Sequence, residues 1–84
     1  MNVQKKGTKF MIFAERIKYM REDNDLKQKE IAAYLNITQQ QYSLYESGKR
    51  QMPADTIAIL CKYYDVSADY ILGLIDEPRR IPRK

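Results

Sequence analysis

The sequence predicts an all-α domain of five short helices. Apolar residues recur three and four positions apart, and the chain shows neither sustained alternation nor a strand-length β-branched run. Residues that cap helices or start turns separate the periodic segments. At 84 residues, the chain has the length of one small domain with a single hydrophobic core.

Composition excludes several classes of function. The chain has no histidine and one cysteine, so it lacks a histidine base, a histidine metal site, an internal disulfide and a cysteine-rich metal cage. No paired carboxylates, serine–base dyad or glycine-rich phosphate loop can be identified. We therefore expect a protein that is not an enzyme and needs no cofactor or metal. The lone cysteine and the absence of a membrane-length apolar run or secretory signal predict a cytoplasmic location without membrane attachment.

Charge is distributed unevenly along the chain. The formal net charge is +4, yet residues 10–78 hold 8 basic and 11 acidic side chains, which leaves this part at −3. The positive excess therefore lies near the two ends. We interpret residues 1–9 as a basic N-terminal arm, residues 10–75 as the folded domain, and residues 76–84 as a mobile basic C-terminal tail.

The first two predicted helices follow from apolar spacing. The first carries Phe10, Phe13, Ala14, Ile17 and Met20 at helical intervals. Thr8 can cap its start, and Asn24 marks its end. The second helix carries Ile31, Ala32 and Leu35. It ends at Asn36, which tolerates the left-handed conformation of a sharp turn.

Residues 28–47 are the most informative segment. Because only residues 36–38 join two helices there, the helices must cross steeply, which is the geometry of a helix-turn-helix. Ile37 is expected to fill the angle between them. Thr38 can cap the second of these helices, over residues 39–47.

The helix over residues 39–47 has an unusual outer face. Tyr42 and Tyr45 fall on its core side, and the opposite arc carries Gln39, Gln40, Ser43, Leu44 and Ser47. A solvated face would normally carry lysine and glutamate, whereas this one carries no charge. Glutamine can donate and accept hydrogen bonds at once, so the face is suited to the edges of base pairs.

Two more helices complete the prediction. Residues 49–52 read as a polar loop, after which Pro53 starts a fourth helix. Its inner face carries Ile57, Leu60, Cys61 and Tyr64. Ser67 can cap a fifth helix, whose apolar side carries Ile71, Leu72 and Leu74.

Four motifs then resemble one family. They are R-I-K-x-x-R-E (Arg16–Glu22), L-K-Q-K-E-I-A-A-Y-L (Leu26–Leu35), T-Q-Q-Q-Y-S-L-Y-E-S-G-K-R (Thr38–Arg50) and V-S-A-D-Y-I-L-G (Val66–Gly73). In this order, they resemble the Cro/repressor-type (Xre-type) helix-turn-helix domain of phage repressors and bacterial regulators. The resemblance implies a compact, five-helix, lambda-repressor-like DNA-binding fold. It also implies sequence-specific binding of double-stranded DNA by a transcriptional regulator, commonly a repressor.

The resemblance implies roles for individual residues. Those expected to read bases are Thr38, Gln39, Gln40, Ser43 and Leu44. Those expected to contact phosphates are Gln28, Ser47, Lys49 and Arg50. Lys27 stands where the family has a capping Ser or Thr, and we expect it to contact a phosphate instead. Arg21 and Glu46 are expected to form a structural ion pair. The family commonly has glycine at Asn36 and Asp65, and both replacements tolerate a turn.

The resemblance also implies partners. One such domain reads half a site, so we expect a homodimer that uses the fifth helix and the residues after it, where Leu74 and Ile75 are apolar. An alternative function is that of an antitoxin or antirepressor acting through a protein partner. The basic arms are expected to be solubilising segments, with a grip on DNA as the other interpretation.

Overall fold

The computed structural model describes residues 8–82, with side chains from Ile12 onward. This part of the chain forms five helices and no strand, which confirms the all-α prediction. The helices are α1 (Thr8–Asp23), α2 (Gln28–Leu35), α3 (Gln39–Glu46), α4 (Ala54–Tyr64) and α5 (Ala68–Ile71). None of them has the length and apolar character needed to cross a membrane. The predicted arm at residues 1–7 and the tail residues 83–84 lie outside the described residues.

Every helix contributes to one core. The largest side chains with less than 2% exposure come one from each helix, in chain order Ile17, Ile31, Tyr42, Leu60 and Ile71. Burying each of the four aliphatic side chains contributes on the order of 1.5–3 kcal/mol to the free energy of unfolding. The helices are short, so packing against one another stabilises them more than helix propensity does.

The start of α1 differs slightly from the prediction, whereas its end does not. The helix begins at Thr8, so Thr8 is its first residue and Lys9 belongs to the helix rather than to the arm. At the other end, Asn24 donates from its backbone N–H and from Nδ2 to the carbonyl of Met20, at 3.2 and 2.7 Å. Asp25 then takes a left-handed conformation with φ 56°. These two residues stop the helix where the sequence indicates.

The loop between α3 and α4 is less polar than predicted. Met52, assigned by its sequence to a polar loop, is 6% exposed and belongs to the core. Its burial anchors the loop directly before Pro53, which caps α4 with φ −61°. A single methionine carries no periodic pattern, so its burial depends on the helices around it.

The fifth helix is shorter than predicted. It forms a single turn that ends at Ile71, and Gly73 redirects the chain with φ 88°. Leu72 and Leu74 therefore leave the core side and are 40% and 69% exposed. Ile75, in contrast, packs against the core.

The described part of the C-terminal tail is packed, whereas the sequence predicted a mobile segment. The N–H of Ser67 donates to the carbonyl of Arg79. Arg80 pairs with Asp65, with 2.7 Å between Nε and Oδ2. Ile81 packs against the core. These contacts fold the tail back beside the start of α5.

Arg16 fastens α1 to the residues around α5. Its Nη1 donates to the carbonyl oxygens of Tyr70 and Ile75, the latter at 2.6 Å. Its guanidinium lies 4.3 Å from the centroid of the Tyr70 ring. The combination of charged hydrogen bonds and a cation–π contact holds the short α5 on the domain.

Candidate nucleic-acid interface

The turn between α2 and α3 sets the angle of the two helices. Asn36 closes α2 in the left-handed conformation, with φ 62° and ψ 42°. The N–H of Ile37 donates to the carbonyl of Ala32 at 3.0 Å, and the Ile37 side chain packs against the core. Thr38 then starts α3, because its hydroxyl accepts the N–H of Gln41 at 3.0 Å. Each turn residue has the role that its type predicts.

Helix α3 has one buried and one open face. Tyr42 and Tyr45 are 0% and 3% exposed and form the core side. Gln39 and Gln40 are exposed on the other side, where Ser43 and Leu44 are half-buried. No charged side chain of α3 lies on that outer face, since its single charged residue, Glu46, is bound to α1 and α2. The open face therefore presents amides, a hydroxyl and an apolar group.

The start of α2 extends this polar face. A shallow depression is lined by Gln28, Thr38, Gln39, Gln40 and Ser43. Gln28 is the first residue of α2. Thr38 caps α3, Gln39 and Gln40 begin it, and Ser43 lies one turn further along the same helix. The structure thus brings five of the predicted site residues into one depression across two helices.

Exposed basic side chains lie near the two ends of the chain segment whose residues line the depression. They are Lys27 and Lys29 at the start of α2, and Lys49 and Arg50 after α3. The N–H groups of Lys49 and Arg50 both donate to the carbonyl of Leu44, at 3.0 and 3.2 Å. The Ser47 hydroxyl also donates to that carbonyl, at 3.1 Å. These bonds fix the loop that carries the two cations to the end of α3.

Helix α2 begins without a capping side chain. Lys27 occupies the capping position, and its ammonium makes no bond to the helix. Glu30 reaches back instead, since its Oε1 accepts the N–H of Lys27 at 2.7 Å. The Lys27 side chain is exposed and is not needed for the helix start.

Glu46 joins three helices through one carboxylate. Arg21 of α1 donates from Nε to Oε2 at 2.6 Å and from Nη2 to Oε1 at 3.2 Å, so the predicted pair meets at two points. The Tyr42 hydroxyl donates to Oε2 at 2.7 Å. Gln28 donates from Nε2 to Oε1 at 3.1 Å. Four donors therefore converge on a side chain that is only 4% exposed.

These contacts fix the charge state of the cluster. Burial raises the pKa of Glu46, whereas the hydrogen bonds from Arg21, Tyr42 and Gln28 lower it. Together these bonds outweigh burial, so the pKa of Glu46 lies below the ordinary 4.5. Burial and the bond to Glu46 raise the pKa of the Tyr42 phenol. The bond to Glu46 also raises the pKa of Arg21. At neutral pH, the cluster holds a carboxylate, a guanidinium and a neutral phenol.

A second surface is apolar. Phe13, Met52, Ile57, Leu72 and Leu74 line an open groove together with Lys49 and Gln51. Of the two residues predicted to form a dimer interface, Leu74 belongs to this groove and is 69% exposed. Ile75 does not line it, because it packs against its own core. Of the two apolar residues, only Leu74 is therefore free of the core and open to a partner.

Two contacts to Glu46 at the site are not predicted by the sequence. Tyr42 was assigned to the core alone, yet its hydroxyl holds Glu46. Gln28 was assigned a phosphate contact, yet one of its amide hydrogens is bound to Glu46. The spacing of Tyr42 and Glu46 by four residues was the available signal, because such residues are neighbours on a helix.

The fold and the depression define a class of protein. Two helices meet at a three-residue turn, and the second presents an uncharged polar face beside exposed cations, which is the arrangement of a helix-turn-helix module. Residues 17–71 match the helix-turn-helix family model, and the chain belongs to that family.

Known proteins share this module. The uncharacterized HTH-type transcriptional regulator YobD of Bacillus subtilis (strain 168) is 36% identical over 67 residues, 80% of this chain and 60% of its own length. The HTH-type transcriptional regulator ImmR of the same organism is 40% identical over 63 residues, 75% of this chain and 50% of its own. The chain thus spans only half to 60% of the length of these two relatives.

Solved structures are similar as well. The crystal structure of a transcriptional regulator from Listeria innocua superposes with a TM-score of 0.71 at 28% identity, over 77% of this chain and 61% of its own. The hypothetical transcription factor NHTF from Neisseria gives the same TM-score at 15% identity, over 86% of this chain and 83% of its own. The second likeness is one of fold alone.

Proposed function

We propose that this chain binds duplex DNA sequence-specifically and regulates transcription, with α3 inserted in the major groove. The observation that carries the proposal is the uncharged, amide-rich outer face of α3 between two exposed basic segments. Amides and hydroxyls recognise base edges, and basic side chains bind phosphates without reading sequence. The related proteins named as transcriptional regulators support the regulatory role.

The proposal assigns base reading to the exposed part of α3 and its cap. The residues are Thr38, Gln39, Gln40, Ser43 and Leu44. Gln39 and Gln40 can each pair with adenine through one donor and one acceptor. Leu44 is half-buried and can contact a thymine methyl group.

The residues around α3 fix the register on the backbone. Those assigned to phosphates are Lys27, Gln28, Ser47, Lys49 and Arg50. The ammonium groups act as point charges, whereas the Arg50 guanidinium can bind a phosphate with two parallel bonds. The single Ser47 hydroxyl proton is donated to the carbonyl of Leu44, so the hydroxyl must rotate away from that carbonyl to donate to a phosphate.

We further propose that the chain forms a homodimer and represses transcription. A groove and the projecting Leu74 lie on the same face, and a two-fold interface needs such a self-complementary patch. A dimer would bind a near-palindrome with half-sites about 34 Å apart. Leu74→Glu should give a monomer in sedimentation equilibrium, while Tyr19→Glu, at another exposed apolar site, should remain dimeric.

The first test is a binding selection from random duplex DNA with the purified protein. A two-fold repeated motif would establish a dimeric, sequence-reading regulator and would supply its operator. A folded protein that selects no motif would contradict the proposal. In that case the open apolar groove favours the second candidate function, an antitoxin or antirepressor that binds a protein partner.

The salt dependence of operator binding tests the phosphate contacts. Three cations in each of two subunits, Lys27, Lys49 and Arg50, give a slope of log K against log salt of about −5. Lys49→Ala should make that slope less steep by about 2, because one contact is lost per subunit. Lys62→Ala, which removes an exposed lysine of α4, is the matched control and should leave the slope unchanged. A slope near zero would contradict the proposed phosphate contacts.

A further inference from the structure

Gln28 has a fixed amide orientation. Its Nε2 lies 3.1 Å from Oε1 of Glu46. An ionised carboxylate only accepts hydrogen bonds, so the amide nitrogen rather than the oxygen must face Glu46. One N–H of the amide is thereby occupied, and the second N–H and the oxygen remain available.

The carboxylate that holds Gln28 is itself buried and held by other hydrogen bonds. The Glu46 side chain is 4% exposed, and Arg21 binds it at two points. The Tyr42 hydroxyl holds its Oε2 from the core side at 2.7 Å. A carboxylate with three other bonds cannot follow a moving glutamine, so it serves as a rigid anchor.

Gln28 connects this anchor to the open depression. It lines the depression with Thr38, Gln39, Gln40 and Ser43, and it is half-buried at the first residue of α2. In contrast, the side-chain amides of Gln39 and Gln40 are exposed and make no hydrogen bond among the described residues. The depression therefore combines one prearranged amide with two adaptable ones.

We propose that Glu46 is a positioning residue for DNA, which holds the Gln28 amide so that its second N–H donates to a single backbone phosphate. This inference rests on the proposed function. A glutamine that is ordered before binding loses less rotamer freedom on the DNA, and this advantage corresponds to about tenfold in affinity. Arg21 neutralises the carboxylate, so Glu46 can lie near the phosphates without repelling them strongly.

A phosphate-by-phosphate test separates positioning from stability. The selected operator is synthesised with a neutral methylphosphonate at one position at a time, and binding of each duplex is measured. Wild-type protein should lose about tenfold at the phosphate that Gln28 contacts. Gln28→Ala should bind the intact operator about tenfold more weakly and show no further loss at that phosphate.

Glu46→Gln distinguishes the positioning role. In this variant, replacing the same phosphate with a methylphosphonate should cause no further loss of affinity. The double variant with Gln28→Ala should bind no more weakly than Gln28→Ala alone. Ile71→Val, at a fully buried site in α5, is the control for reduced stability and should leave the loss of affinity at every neutralised phosphate as in wild type. If Glu46→Gln still loses about tenfold in affinity when that phosphate is neutralised, the inference is overturned.

A measurement on the wild-type protein covers the case in which Glu46→Gln does not fold. In nitrogen relaxation of side-chain amides without DNA, Gln28 should show a high order parameter, near that of rigid backbone, and Gln39 and Gln40 a value below about 0.6. Equal mobility of the three amides would overturn the positioning role. If the wild-type protein binds no DNA, the proposed function fails together with the inference, whereas normal DNA binding with a mobile Gln28 refutes the inference alone.

Discussion

Arg21 and Glu46, 25 residues apart in sequence, form an ion pair with two contacts. Arg21 Nε lies 2.6 Å from Oε2 and Nη2 lies 3.2 Å from Oε1. The Arg21 and Glu46 side chains are 12% and 4% exposed. Arg21 also donates from Nη1 to the carbonyl of Leu26 at 2.7 Å. One side chain of α1 therefore holds both the end of α3 and the segment that leads into α2.

Removal of the cation should be costly. Arg21→Ala leaves the buried Glu46 carboxylate without a counter-ion, so we expect a loss of about 3–5 kcal/mol in the free energy of unfolding, measured with urea. The matched control is Arg80→Ala, which breaks a pair of similar length to Asp65. Arg80 is 75% exposed, so its loss should cost about 0–1 kcal/mol. Similar losses in the two variants would show that burial does not strengthen the Arg21 pair.

The same cluster predicts a pH dependence of stability. The pKa of Glu46 is lowered in the folded protein, so its contribution is fully present above the ordinary 4.5 and is lost as the pH falls through the lower folded pKa. Glu46→Gln should therefore be much less stable than wild type at neutral pH and closer to it in acid. Urea midpoints between about pH 3 and 7 measure this difference. A difference that is constant with pH would rule out a titrating Glu46.

Tyr64 gives a contrasting prediction. Its hydroxyl is buried and has no hydrogen-bond partner among the described residues, and burial raises its pKa. Tyr64→Phe removes a desolvated group, so stability should stay the same or rise by up to about 1 kcal/mol. Tyr42→Phe is the matched control, and it should cost about 1.5–3 kcal/mol because it loses a bond to the charged Glu46. The prediction fails if Tyr64→Phe is destabilised as much as Tyr42→Phe.

Local signals explain what the sequence could predict. Apolar spacing located the five helices, and Thr38 and Ser67 cap helices because their hydroxyls accept backbone N–H groups. Asn36 and Asp65 take the left-handed conformations expected of their residue types. The outer face of α3 followed from helical periodicity alone. Each of these features depends on residues within a few positions of one another.

Contacts between distant residues explain what could not be predicted. The bond from Gln28 to Glu46 spans 18 residues, and Met52 and Ile81 enter the core from segments without periodicity. Their burial depends on how the helices pack, which short-range patterns do not encode. Arg21 and Glu46 were paired only through the family resemblance.

The left-handed turn at Asn36 makes a further prediction. A residue with a Cβ atom pays about 1–2 kcal/mol in this conformation, and asparagine partly avoids the penalty through its short polar side chain. Asn36→Ala should therefore lower the free energy of unfolding by about 1 kcal/mol. Asn36→Gly is the control, since glycine adopts φ 62° without strain, so Asn36→Gly should be more stable than Asn36→Ala. If Asn36→Ala has a free energy of unfolding equal to or above that of Asn36→Gly, backbone strain does not govern this position.

Gln40 is the most direct probe of base reading. It is exposed on α3 and lines the depression beside Gln28, so Gln40→Ala should leave the fold intact. Binding to the selected operator should weaken by about 1–3 kcal/mol, and the preference at one base pair should relax. Fluorescence anisotropy with operators substituted at each base pair measures both effects. An amide that contacts only phosphate carries no sequence information. An equal loss on random DNA would therefore contradict base reading by Gln40 and would indicate a contact with the DNA backbone.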